Sequence, residues 1–149
     1  YAANATSVGA TRESAAGTTL ATTDLSWSPD ASSAAFVTSA GQLSVWTPAA
    51  GARSVAGVTY ASGTPVWSAD GRSMAVVAGG GVMVVNVATG VGQTVAAQGT
   101  VVSIAFAPAG TGLAIASASG VTVYADVTGT GHAVAGAAER GALAWTIAG

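Results

Sequence analysis

Apolar and polar positions alternate along this chain in short runs, and the runs themselves repeat. Trp27, Trp67, Phe106 and Trp145 stand 40, 39 and 39 residues apart. Each ends an apolar stretch and opens nearly the same phrase: LSWSPDASS, PVWSADGRS, IAFAPAGTG and LAWTIAG. Behind the first three aromatic residues come Pro29-Asp30, Ala69-Asp70 and Pro108-Ala109, and then Ala31, Gly71 and Gly110. Proline presets φ, aspartate bonds nearby amides and glycine accepts positive φ, so a turn is expected here between a first and a second strand. Second strands follow at 34–37, 74–77 and 113–116, with Ala35, Ala75 and Ala114 at the same place in each. A small residue held at one depth marks a close approach to a neighbouring layer. Gly41, Gly81 and Gly120 recur without a gap, and each precedes a third run rich in β-branched and aromatic residues, at 42–46, 82–87 and 121–124. Shorter, more polar runs at 53–58, 93–97 and 132–135 complete the unit.

A period near 40 residues, with four short strands per period, is the pattern of a β-propeller, whose blades are small antiparallel sheets that bury their faces only against neighbours. The fold class is therefore all-β: a propeller segment of four-stranded antiparallel blades. Strands are expected at 23–28, 33–38, 42–46, 64–68, 73–78, 82–87, 101–106, 112–117 and 121–125, with essentially no helix. Trp27, Trp67, Phe106, Phe36, Val76, Ile115, Val45, Val85 and Tyr124 are the expected core. Blades are assigned to 20–58, 59–98 and 99–137. Residues 1–19 align with the end of a blade, and 138–149 with the start of another. Propellers usually close with four or more blades, so the segment is expected to belong to a larger propeller or assembly, with cover for strand edges near 10–15 and 142–146.

The stretch VVSIAFAPAGTGLAIASASGVTVYADVTGTG resembles a WD-type repeat, and PVWSADGRSMAVV resembles the related Tol-B-type propeller repeat. LSVWTPAAG at 43–51 and VVNVATG at 84–90 are similar to the WD third strand. The resemblance covers about 18–149 and implies the fold. The Trp-Asp dipeptide is absent, since Trp46 precedes Thr47, and the single histidine, His132, lies in a different part of its repeat from the family's Gly-His pair. The His/Asp network of such repeats is therefore not expected.

Composition changes the picture in one respect. Half of the residues are hydrophobic and 7% are charged, and no residue between Ser73 and Ala125 carries a charge. A soluble surface ordinarily carries about a quarter, so Ser, Thr, Gln and Asn cover this one or partners do. The most apolar run, 74–88, contains Gly79-Gly80-Gly81 and Asn86 and is too interrupted for the roughly 18–20 residues of a spanning helix; it reads as two strands and a turn. The chain has no cysteine, which excludes disulfides and thiolate metal sites. The lack of lysine and the Ser/Thr/Ala/Gly bias lean towards a cell-envelope or secreted location. Four scattered arginines and a net charge of −2 do not make a nucleic-acid interface, which needs clustered cations.

Reactive chemistry has few residues to work with. One histidine forbids a paired-histidine zinc site, and neither the Gly-x-Ser-x-Gly elbow nor the Gly-x-x-x-x-Gly-Lys loop occurs. His132 and Asp126 could be drawn into a triad, but nothing supplies a strained nucleophile turn, and the loop reading of both is preferred. Gly90-Val91-Gly92 and Gly129-Thr130-Gly131 read as hairpin turns, and Asp30 and Asp70 as turn caps rather than calcium ligands. Asn4-Ala5-Thr6 fits the glycosylation acceptor pattern. No catalytic, cofactor or metal residue is assigned. Two functions are left: a non-catalytic platform for protein partners or for the rest of the same polypeptide, and the propeller of a secreted peptidase-type hydrolase whose catalytic domain lies elsewhere.

Overall fold

The computed structural model describes residues 20–97, 99–127 and 131–134, with side chains described from Leu25 onward. Twelve strands form three four-stranded antiparallel sheets, each a simple meander. The first comprises β1 (Leu20–Trp27), β2 (Ala34–Thr38), β3 (Leu43–Thr47) and β4 (Gly51–Ser54). The second comprises β5 (Ala61–Trp67), β6 (Ser73–Ala78), β7 (Gly81–Asn86) and β8 (Gly92–Val95). The third comprises β9 (Val101–Phe106), β10 (Leu113–Ser117), β11 (Gly120–Tyr124) and β12 (His132–Val134). The described residues contain no helix, as the repeat predicts.

All nine expected inner strands form. The first strands of the first two sheets begin earlier than expected because their pairing is irregular between Leu20 and Leu25 and between Ser62 and Val66, where alternation fails as a guide. The outer strand of the first sheet ends at Ser54, not at 58. Val55 and Val58 instead belong to the connector and are buried against both sheets.

Two cores hold the stack. Ala35, Val37, Leu43 and Val45 of the first sheet meet Trp67, Met74, Val76 and Val85 of the second. Ala75, Val82 and Val84 on the other side of the second sheet meet Phe106, Leu113, Ile115 and Tyr124 of the third. Cross-strand partners share a face, so each sheet presents alternate residues to the sheet before and the sheet after it. Leu43, Met74 and Leu113 are wholly buried, each contributing roughly 1.5–3 kcal/mol by leaving water. Ala35 and Ala75 lie in the close approaches that their recurrence implied.

Eight of the nine expected core residues are buried; Trp27 is not, being 55% exposed. No described sheet lies against its face. A second correction concerns register. Gly41, Gly81 and Gly120 are evenly placed in the repeat, yet Gly81 and Gly120 open strands across two-residue turns, whereas Gly41, at φ 72°, closes a three-residue turn between Thr38 and Gln42. The extra residue shifts the third strand by one. Trp46 pairs with Ala34, as Val85 does with Met74 and Tyr124 with Leu113. Val45 therefore faces the second sheet, the direction opposite to Val85 and Tyr124. The expectations for 10–15, for 142–146 and for Asn4, Gly129 and Trp145 lie outside the described residues.

Candidate functional site

The turns that carry the two aspartates are closed on themselves. Ser28 N–H donates to Ser33 O at 2.8 Å, and Ser68 N–H to Ser73 O at 2.9 Å. The Ser28 hydroxyl donates to Asp30 Oδ1 at 2.6 Å, and the Ser68 hydroxyl to Asp70 Oδ1 at 2.7 Å. Main-chain N–H groups of Ser32 and Arg72 donate to the same oxygens at 3.0 Å. These bonds stabilise the ionised form. The Ser28 hydroxyl, then the Ser32 amide and hydroxyl, push the Asp30 pKa from 3.8 down to about 2. Asp70 is lowered by Ser68 first, then by the Arg72 amide. Both carboxylates serve their own turns, as turn caps do. In the third sheet only the main-chain bond survives, from Ala107 N–H to Gly112 O at 2.8 Å, because Ala107 and Ala109 replace serine and aspartate.

The junctions between sheets carry the remaining polar chemistry. Trp67 Nε1–H donates to Ser26 O at 3.2 Å, and the Ser26 hydroxyl donates to Pro65 O at 2.6 Å. Both bonds tie the inner strands β1 and β5 together. At the second junction the Phe106 ring has no N–H to offer, and Tyr124 O–H donates to Ala96 O at 2.7 Å instead. Towards the outside, Arg53 Nη2 donates to Val87 O at 2.8 Å and Gln93 Nε2 to Val127 O at 3.2 Å.

Beyond the first junction lies the face that the first sheet turns away from the second. Trp27 stands edge-on to Trp46, with ring centroids 6.3 Å apart and planes at 89°, a favourable quadrupolar arrangement. Leu25, 46% exposed, shares this face through its pairing with Phe36. Trp46 is half-buried and Phe36 buried, so the exposed part of this face is Leu25 and Trp27, and adjacent exposed apolar side chains mark a contact surface. On the rim above, the connector places Tyr60 at φ 56° and 83% exposed, a conformation uncommon for a bulky residue. Its neighbour Ala61 donates N–H to Gly41 O at 2.8 Å, which fixes the rim. Neither Tyr60 nor the outer bonds were found from the sequence. The common place of Arg53 and Gln93 in the repeat was the available signal; nothing local distinguishes Tyr60.

Among the described residues, no three of His, Cys, Asp and Glu gather to hold a metal. His132 lies exposed on β12, and Asp126 precedes it in an exposed bend after β11. Gly90-Val91-Gly92 closes the turn into β8, with Asn86 N–H donating to Val91 O, as a hairpin reading requires. Residues 74–88 are β6, the Gly79-Gly80 turn and β7 with the start of the next turn. No helix among the described residues is long and apolar enough to cross a membrane.

No family model matches the chain, and no curated protein matches its sequence. Solved structures do match. The chain is similar to the β-propeller domain of Cps50 (Swd1) from Myceliophteria thermophila, with a TM-score of 0.65 and 17% identity over 75% of this chain and 38% of that one. It is also similar to U3-55K, with a TM-score of 0.60 and 17% identity over 82% of this chain and 41% of that one. The chain thus spans about two fifths of the length of the structures it matches. Together with the three meandering sheets, these likenesses show a β-propeller fold, open and partial in the described residues.

Proposed function

We propose that the chain is a non-catalytic platform, a run of propeller blades that works within a larger polypeptide or assembly. The blade division at 20–58, 59–98 and 99–137, with sequence of two further blades at 1–19 and 138–149, belongs to this reading. The observation that carries it is the face of Leu25, Trp27 and Trp46. The equivalent faces of the second and third sheets are buried in the two cores, whereas on the first Trp27 is more than half exposed. Large aromatic side chains in such a position are the usual anchors of protein contacts. The stack of sheets, with aspartates that are bonded within their own turns, suits recognition by surface rather than by a reactive group.

Light scattering on the isolated 149-residue chain, with acrylamide quenching of the part of the four-tryptophan fluorescence that Trp27→Phe removes, tests the reading. The expected result is association or instability of the isolated segment. A stable 14.1 kDa monomer with Trp27 fully quenchable would overturn it. Labelling of the native full-length protein by a serine-hydrolase probe would replace it with the hydrolase-associated propeller.

A further inference from the structure

Asp70 alone among the aspartates and asparagines of the chain is followed by glycine. Asp24, Asp30 and Asp126 precede leucine, alanine and valine, and Asn4 and Asn86 precede alanine and valine. An Asp-Gly pair can rearrange without an enzyme, because no Cβ shields the glycine nitrogen. That nitrogen attacks Cγ of the protonated aspartate, an N–C bond forms, and the amide hydrogen leaves with the carboxyl hydroxyl as water. Water then opens the five-membered succinimide at one carbonyl or the other, returning aspartate or giving isoaspartate, in which the main chain runs through Cβ and Cγ. Asp70 is exposed, so water reaches it, and Gly71 stands at φ 69°, a conformation that glycine adopts without strain.

The folded turn opposes each requirement of that reaction. Gly71 N–H donates to Ser68 O at 2.9 Å, which occupies the attacking group. Oδ1 of Asp70 accepts from the Ser68 hydroxyl at 2.7 Å and from Arg72 N–H at 3.0 Å, which favours the ionised carboxylate, a poor leaving group, and fixes its position. Ser68 supplies both the carbonyl and the hydroxyl. Its buried side chain is held in turn by Ser73, whose N–H donates to Ser68 Oγ and whose carbonyl accepts from it, each at 3.0 Å. We propose that Asp70-Gly71 is the isoaspartate-forming site of this chain and that the Ser68 hydroxyl is the latch that holds it closed. Isoaspartate adds one carbon to the main chain and takes the carboxylate out of its cap. The change reaches the first junction, since the bond from Ser68 N–H to Ser73 O closes the hairpin in which Trp67 pairs with Met74, and both side chains lie in that core. This chemistry is independent of what the platform binds.

The experiment ages the full chain near neutral pH, folded and in denaturant, and follows isoaspartate residue by residue with electron-transfer mass spectrometry. Isoaspartate is expected first at Asp70, and more slowly in the folded chain than in denaturant. Ser68→Ala is expected to raise the folded rate about tenfold, the factor that one hydrogen bond to a charged group confers, and to leave the rate in denaturant at the parent's value. Isoaspartate arising first at another aspartate overturns the site. A folded rate equal to that in denaturant, or a Ser68→Ala chain no faster than its parent, overturns the latch. Ala31→Gly keeps the test open where Ser68→Ala does not fold. It gives Asp30 the same neighbour in a turn whose Ser32 hydroxyl adds bonds to both carboxylate oxygens at 2.8 Å. The folded variant is expected to isomerise more slowly at Asp30 than at Asp70, and equal rates or the reverse order overturn the proposal.

Discussion

The first and second sheets are near-copies, LSWSPDASS against PVWSADGRS, and they differ most at the residue they share most plainly. Trp67 is 9% exposed and Trp27 is 55% exposed. The two occupy the same place, at the end of an inner strand and before a Ser-x-Asp turn. What separates them is the neighbour: Trp67 rests on the first sheet and donates to Ser26 O, whereas Trp27 leans on Trp46 of its own sheet. In a repeat protein the sequence specifies a surface, and burial is a property of the pair of surfaces that meet.

The largest test of that comparison removes both rings in turn. Trp67→Ala should cost roughly 3–5 kcal/mol through transfer and cavity terms, while Trp27→Ala should cost about 1 kcal/mol, chiefly the edge-on contact with Trp46. Urea unfolding of the two variants checks this; equal losses would mean that Trp27 is covered as Trp67 is. A second test exchanges the turn residues that follow. Ala31 sits at φ 56° and Gly71 at φ 69°, so Ala31→Gly should stabilise the first turn and Gly71→Ala destabilise the second, each by roughly 1–2 kcal/mol. Thermal melts of the pair should move in opposite directions. The third sheet, with Ala107 and Ala109 where the others have serine and aspartate, offers a gain of function. The double substitution Ala107→Ser and Ala109→Asp should stabilise by about 0.5–1 kcal/mol by restoring the cap, and melting read at pH 7 checks it.

The smallest effect concerns acid. Asp30, lowered to about 2, and Asp70, also lowered, have folded pKa values below the unfolded one. Their contribution is therefore complete above pH 3.8 and is lost as the pH falls through that value towards 2. Unfolding midpoints measured from pH 5 to pH 2 should fall for the parent, and Asp30→Asn should flatten the curve. The variant lacking Asp70 should flatten it less, since fewer bonds hold that carboxylate.

Much of this was legible in the sequence. Aromatic spacing, turn chemistry and β-branched runs placed all nine inner strands, because each signal is local and repeated three times. The slip at Ser39, Ala40 and Gly41 was not legible: an evenly spaced glycine suits either a two-residue or a three-residue turn, and only pairing reveals which strand face follows. The junction bonds were hidden by their chemical variety, tryptophan at one junction and tyrosine at the other. The outer donors Arg53 and Gln93 were obscured by having only reach in common. Trp27 misled for the reason already given, since the pattern names a face and not its cover.

Every strand in the described residues pairs with the strand next to it in sequence, without a crossover. Loop closure within a sheet therefore spans only a few residues at a time, which keeps contact order low for an all-β protein and favours rapid formation of each hairpin. During synthesis the first sheet can be complete before the second has been translated, and Val55 and Val58 lie in the connector between them. Folding can then advance by accretion, each new sheet assembling on the surface left by the one before, so that each step adds one apolar face at the growing edge and covers the last.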